Sequence, residues 1–256
     1  MGNSITFFLD GKEVSANEND SIWQVAKKQG NTLPHLCYSD KTGYRADGNC
    51  RACMVSIEGE RVLAASCIRK PTQGMKVSTV DERSKKSREM VLELLVTDQP
   101  KKDDSHDPNS HFWSMANKVN VNDSRFDKKS KSQVPVADIS NKAMSVNLDS
   151  CIHCNLCVRA CREVQVNDVI GMGMRGHSSK VIFDFDDPMG ESTCVSCGEC
   201  VQACPTGALM ESSLLDEYGK HKGEPDREVD SLCPYCGVGC QLTFKIKDDK
   251  IVSAIG

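Results

Sequence analysis

The chain has 256 residues, a formal net charge of -4 and 15 cysteines. Its length allows one or two ordinary cores, and its mild acidity excludes the basic face or stripe that nucleic-acid binding requires. No apolar run is long enough to span a bilayer, and neither a secretory h-region nor a twin-arginine start is present, so the chain reads as cytoplasmic with no membrane span.

Ile5, Phe7 and Leu9 alternate with Thr6, Phe8 and Asp10, and Asp10-Gly11 supplies a hairpin turn ahead of Val14. The opening MGNSIT also fits the Gly-x-x-x-Ser/Thr pattern of N-myristoylation, but the strand reading is preferred. Asp20 or Ser21 is the N-cap of a helix with Ile22, Val25 and Ala26 on one face, and Gly30 ends it in a left-handed cap. Thr79 and Glu82 read as a capping box for a second helix, whose Met90, Val91, Leu94 and Leu95 face a core shared with the first domain.

Residues 97–142 are rich in Lys, Asp, Ser and Asn and read as a connector, or as a loop lying on a partner. Within them HFWSMANKV forms one short helix anchored by Phe112 and Trp113, while His106 and His111 read as solvated loop histidines. Gly171, Gly173 and Gly176 spell G-x-G-x-x-G, yet a dinucleotide site needs a helix next and KVIFDFDD reads as a strand. Those glycines are therefore read as the turn of an insert. Residues 212–230 read as a linker, after which Leu242, Phe244 and Ile246 alternate and Asp248-Asp249 turns the chain into Ile251-Val252.

The cysteines carry the chemistry. In a reducing compartment, and with an odd total, they are read as metal ligands and not as disulfides. Cys151, Cys154, Cys157 and Cys161 form C-x2-C-x2-C-x3-C, and Cys194, Cys197, Cys200 and Cys204, followed by Pro205, repeat it at an offset of 43. This spacing wraps three thiolates around one [4Fe-4S] cubane while the fourth reaches the neighbouring cluster. One [4Fe-4S] is thus assigned to Cys151, Cys154, Cys157 and Cys204, and the other to Cys194, Cys197, Cys200 and Cys161. Zinc prefers separated cysteine pairs and does not call for two such runs. Arg162 stands where the second copy has its proline.

Cys37, Cys50, Cys53 and Cys67 form C-x12-C-x2-C-x13-C, a spacing that by itself leaves zinc and [2Fe-2S] both open. The hairpin and helix ahead of it favour [2Fe-2S], and Gly48 lets backbone approach the cluster closely. Cys233, Cys236 and Cys240 form a third kind of set, C-x2-C-x3-C, at ligand spacing but with no fourth cysteine after them.

With these residues in view, GNCRACMVSIEG resembles the N-terminal [2Fe-2S] domain shared by the complex I large iron-sulfur subunit, NAD-reducing hydrogenases and cytosolic formate dehydrogenases. DSLCPYCGVGCQL resembles the start of molybdenum or tungsten bis-pyranopterin oxidoreductases, formate dehydrogenases above all. The resemblance implies an α+β chain: a β-grasp [2Fe-2S] domain (1–79), a helix and connector (80–145), a two-cluster [4Fe-4S] ferredoxin-type domain (146–211), a linker (212–230) and the truncated start of a molybdopterin-oxidoreductase [4Fe-4S] domain (231–256). The family's His-x3-Cys-x2-Cys-x5-Cys site is expected to be absent, since no cysteine lies between Cys67 and Cys151. The implied function is the relay of a formate dehydrogenase alpha subunit, with no catalytic residue of its own. Formate is oxidised at a Mo/W-bis-pterin in a missing region or a partner, and electrons leave for flavin/NAD-binding diaphorase subunits. The chain is then truncated or split; the alternative is a stand-alone diaphorase-type subunit of a hydrogenase or complex I-like assembly.

Overall fold

A computed structural model describes residues 4–127 and 135–255; residues 1–3, where the myristoylation pattern begins, lie outside them. The first unit opens with β1 (Ser4–Leu9) paired antiparallel to β2 (Lys12–Asn17). Asp10 and Gly11 both have positive φ, 50° and 80°, the two left-handed positions of the type I′ turn that suits the twist of a hairpin. Ser21 caps α1 (Ile22–Lys28): its hydroxyl accepts from the Gln24 amide while the Gln24 side chain accepts from the Ser21 amide. Gly30, at φ 80°, lets the chain leave the helix.

β3 (Met54–Ile57), β4 (Ala64–Ala65) and β5 (Lys76–Ser78) complete a five-stranded sheet in the order β2-β1-β5-β3-β4, in which β1 and β5 run parallel. Alternation puts Phe7, Leu9, Val14, Val55 and Val77 on its inner face, against Ile22, Trp23 and Val25 of α1. The Trp23 indole donates to the Leu33 carbonyl at 3.1 Å, so this large ring is buried without an orphaned N–H.

The next helix departs from expectation at both its cap and its face. α2 (Glu82–Thr97) is capped by Asp81, whose carboxylate accepts from the Ser84 amide at 3.1 Å. Thr79 is engaged elsewhere: its amide and hydroxyl both donate to Asp10, at 2.6 and 2.7 Å, which ties the helix entrance to the first hairpin. The buried line of α2 is Ser84, Arg88, Leu92 and Val96, whereas Met90, Val91 and Leu95 are half-buried and Leu94 is 47% exposed. The physical reason is Arg88, which donates to the carbonyls of Met54 and Thr79 at 2.8 and 2.6 Å and so pins a polar residue to the face toward the sheet.

The connector is more ordered than its composition suggests. α3 (His111–Lys118), capped by Ser110, buries Phe112 and Trp113 against Leu92, Val96 and Leu36. His106 is buried and His111 half-buried, so the solvated reading of these two is corrected. His111 Nε2 lies 2.8 Å from the His35 carbonyl, and Phe112 N donates to the Pro205 carbonyl at 2.7 Å, so α3 is pinned between the first unit and the second.

The second unit contains β6 (Met144–Val146) paired with β9 (Leu209–Glu211), β7 (Ile170–Gly173) paired with β8 (Lys180–Phe183), and short helices α4 (Leu156–Arg159) and α5 (Glu199–Ala203). Gly171 and Gly173 lie within β7 and only Gly176 lies in the connection, because a flat strand needs no special φ there and Ile182 of β8 packs directly over Gly173. The third unit is the antiparallel sheet β10 (Arg227–Leu232), β11 (Gln241–Lys247) and β12 (Lys250–Ile255), whose first strand begins inside the stretch read as a linker. Among the described residues no helix is long and apolar enough to cross a membrane.

Candidate metal centres

The 43-residue repeat is reproduced in backbone geometry. His153 and Ser196 both have φ 54°, Asn155 and Gly198 are both left-handed at 62° and 79°, and each pair is related by the same offset. These turns aim amides inward: His153 N donates to Cys151 Sγ and Ser196 N to Cys194 Sγ, each at 3.4 Å. α4 and α5 then start at equivalent positions, which carries Cys157 and Cys200 on their first turns.

The copies diverge at their last cysteine. After α4 the chain widens into a π-turn, Ala160–Val164, which holds Cys161 in helical backbone. Cys204 instead is extended, and Pro205 directs the chain away. Cys151, Cys154, Cys157 and Cys204 line one cavity, while Cys161, Cys194, Cys197 and Cys200 line another. Val169 N donates to Cys161 Sγ at 3.3 Å. Burial pushes the thiols of Cys154 and Cys157 well up, helped by the surrounding cysteines, and pushes Cys200 up to about 12.

Cys37, Cys50, Cys53 and Cys67 also come together. Cys50 N donates to Cys37 Sγ at 3.3 Å, and Arg51, at φ 57°, turns the chain between Cys50 and Cys53. A hydrogen bond between the two thiols raises the pKa of Cys37 and lowers that of Cys50, and the same exchange raises Cys67 and lowers Cys53. Gly48 has φ 64°, and a Cβ there would sit 2.3 Å from Ile68 Cδ1. The close approach at this glycine is therefore to the residue after Cys67.

The donor sets fit clusters. A single tetrahedral zinc takes four ligands at about 2.3 Å from one point, whereas each of the two quartets of the repeat lines a cavity. Sulfurs that ring a cavity, with backbone amides directed at them, match the needs of a bulkier iron-sulfur core.

The third set is laid out differently. Cys233 follows β10, Cys240 precedes β11, and Cys233 N donates to the Cys240 carbonyl at 2.8 Å, closing one loop with Cys236 near its tip. Gly237 and Gly239 have φ 75° and 80°. Cys236 and Cys240 are exposed, and among the described residues no fourth cysteine accompanies the three on this loop.

The sites are linked in space. Cys37, Cys154 and Leu156 share one buried cluster of side chains, and Cys157 lies within electrostatic reach of Cys200. The first quartet thus lies between the Cys37 set and the second quartet. Sequence reasoning overlooked Arg159, buried at this junction and 2% exposed. Its signal was available: Arg159 in CVRAC corresponds to Gln202 in CVQAC, an unmatched charge inside an otherwise close repeat.

Three family models match separate parts of the chain. Residues 2–82 match the 2Fe-2S iron-sulfur cluster binding domain, residues 150–208 the 4Fe-4S dicluster domain, and residues 226–256 the molybdopterin oxidoreductase Fe4S4 domain. The domain content is that of an iron-sulfur protein. Proteins similar to it include oxidoreductases and oxidoreductase subunits. The NADP-reducing hydrogenase subunit HndD of Solidesulfovibrio fructosivorans is 32% identical over 88% of this chain and 39% of its own length. An NADH-quinone oxidoreductase chain of Rhizobium meliloti is 30% identical over 92% of this chain and 27% of its own. A putative formate dehydrogenase of Staphylococcus haemolyticus is 26% identical over 95% of this chain and 28% of its own. The chain therefore spans well under half the length of these relatives. A chain of the NAD+-reducing [NiFe]-hydrogenase in its H2-reduced state shares the fold, with a TM-score of 0.74 at 24% identity, covering 86% of this chain and 93% of that one.

Proposed function

We propose that this chain is the electron-relay portion of a molybdenum- or tungsten-dependent formate dehydrogenase. Cys37, Cys50, Cys53 and Cys67 would hold a [2Fe-2S] cluster in a β-grasp setting. Cys151, Cys154, Cys157 and Cys204 would hold one [4Fe-4S], and Cys194, Cys197, Cys200 and Cys161 another. Cys233, Cys236 and Cys240 would supply three ligands of a further [4Fe-4S]. Such clusters carry one electron at a time, with potentials set by charge, hydrogen bonding and burial.

The amides of Cys50, His153, Val169 and Ser196 donate to cysteine sulfurs of these sets, and the loops that carry them would orient the bound cores. Formate oxidation yields carbon dioxide, one proton and two electrons, and a relay must accept the electrons singly and pass them towards a flavin partner that reduces NAD. The observation that carries this reading is the combination, in one chain, of both ferredoxin-type segments with a third cysteine loop in the segment matching the molybdopterin oxidoreductase Fe4S4 domain.

A second reading, a relay subunit of a hydrogenase or complex I-like assembly, is favoured by the 32% identity to a hydrogenase subunit and by the shared hydrogenase fold. Anaerobic purification with iron and sulfide quantification and low-temperature EPR tests the cluster assignment: three filled sites hold about ten irons, two plus four plus four. Reduction of those clusters by formate in the native complex supports the first reading. Reduction by hydrogen without response to formate replaces it with the second.

A further inference from the structure

The spacing C-x12-C places a long loop between Cys37 and Cys50, and this loop lies on the second unit. Tyr44 donates to Glu199 Oε1 at 2.8 Å, and Arg45 pairs with Glu163 at 3.2 Å. Arg159 enters the loop from α4. Its guanidinium donates to the Cys37 carbonyl at 2.7 Å, to the Cys154 carbonyl at 3.3 Å, to the Asn155 carbonyl at 3.3 Å and to the Arg45 carbonyl, and Nε lies 3.2 Å from Asp47 Oδ2. One buried planar cation therefore grips the backbone of a cysteine in the first set and of a cysteine in the neighbouring quartet.

We propose that Arg159 is a positioning residue that fixes the Cys37 arm of the first cluster against the Cys154 loop of the second, setting the distance and the local charge for electron exchange between them. The proposal rests on the iron-sulfur assignment of those cysteines. Its physical basis is the fork of donors: a guanidinium satisfies several fixed acceptors at once, which an ammonium on a flexible stem does not. Tunnelling between redox centres falls steeply with distance, so a rigid junction matters more here than at a surface contact. A positive charge close to both sites also favours the added electron, and Asp47, itself paired with Arg45 at 3.2 Å, moderates that charge.

The test uses the full 256-residue chain, purified anaerobically, in wild-type, Arg159→Met and Arg159→Lys forms, with iron content, low-temperature EPR and redox titration. In the wild type, full reduction is expected to split or broaden the signals of the two neighbouring centres through their magnetic interaction. Arg159→Met is expected to load the same iron, lose that interaction and shift both midpoint potentials downward. Arg159→Lys restores the potentials, because the charge returns, but only part of the interaction. Unchanged interaction and potentials in Arg159→Met overturn the role of Arg159 while leaving the cluster assignment standing. Absence of both signals from the wild type overturns the assignment and this proposal with it. If Arg159→Met loads less iron, Arg159→Lys decides: an interaction weaker than wild type supports the positioning role, and one equal to wild type overturns it.

Discussion

At the scale of single residues, the requirements are conformational and electrostatic. Gly48 sits at φ 64° with Ile68 Cδ1 in the way of a Cβ. Gly48→Ala is expected to destabilise the chain by about 1–2 kcal/mol from the left-handed backbone alone, measured by denaturant unfolding. Shortening Ile68 to Ala in the same chain relieves the clash but not the backbone cost, so full recovery in the double variant would contradict this account. The corrected histidines predict a pH effect. Burial lowers the pKa of His106 and His111 below the ordinary value of about 6.5. Between the folded and unfolded values the unfolded chain binds more protons, so their contribution is complete above about 6.5 and is lost as the pH falls below it. Thermal unfolding between pH 7.5 and 5.5 should fall less steeply in His106→Gln than in wild type.

At the scale of elements, α2 shows how a helix can hide its own face. Periodicity places Leu94 on the core face; the structure exposes Leu94 and buries Arg88, whose guanidinium donates to the Met54 and Thr79 carbonyls. Leu92→Ala is accordingly expected to cost about 2–5 kcal/mol by cavity formation, while Leu94→Ala stays within about 0.5 kcal/mol. Paired denaturant melts check this, and equal costs would restore the face read from periodicity. α3 makes a related point. Its short apolar run was visible in an otherwise polar connector, but its bridge from His35 to Pro205 depends on two segments far away in the chain.

At the scale of the whole molecule, the question is which cysteine serves which centre. Each cavity is lined by three cysteines of one run and the last cysteine of the other. Cys204→Ala is therefore expected to lower the iron content from about ten toward six and to remove or alter the EPR signal that also depends on Cys151. Cys161→Ala should act on the signal that depends on Cys194. Each variant affecting the centre of its own run would contradict the crossed arrangement. The Cys37 loop and Arg159 extend the same logic across units, since the Cys37 site and the neighbouring quartet share backbone contacts through one side chain.

What the amino-acid order determined by itself is local. The Asp10-Gly11 turn, the Ser21 cap and the strands around Asp248-Asp249 follow from residues a few positions apart, where backbone preference and short hydrogen bonds decide the outcome. The repeat at offset 43 likewise carries its left-handed turns with it, because those turns are set within each loop. Tertiary structure alone decided the burial of Arg88 and Arg159, whose guanidinium groups go inside because distant chain brings carbonyl acceptors that replace water. It also decided why the first cysteine set is spaced so widely: the extra loop length spans to a second unit, and no local rule contains that distance.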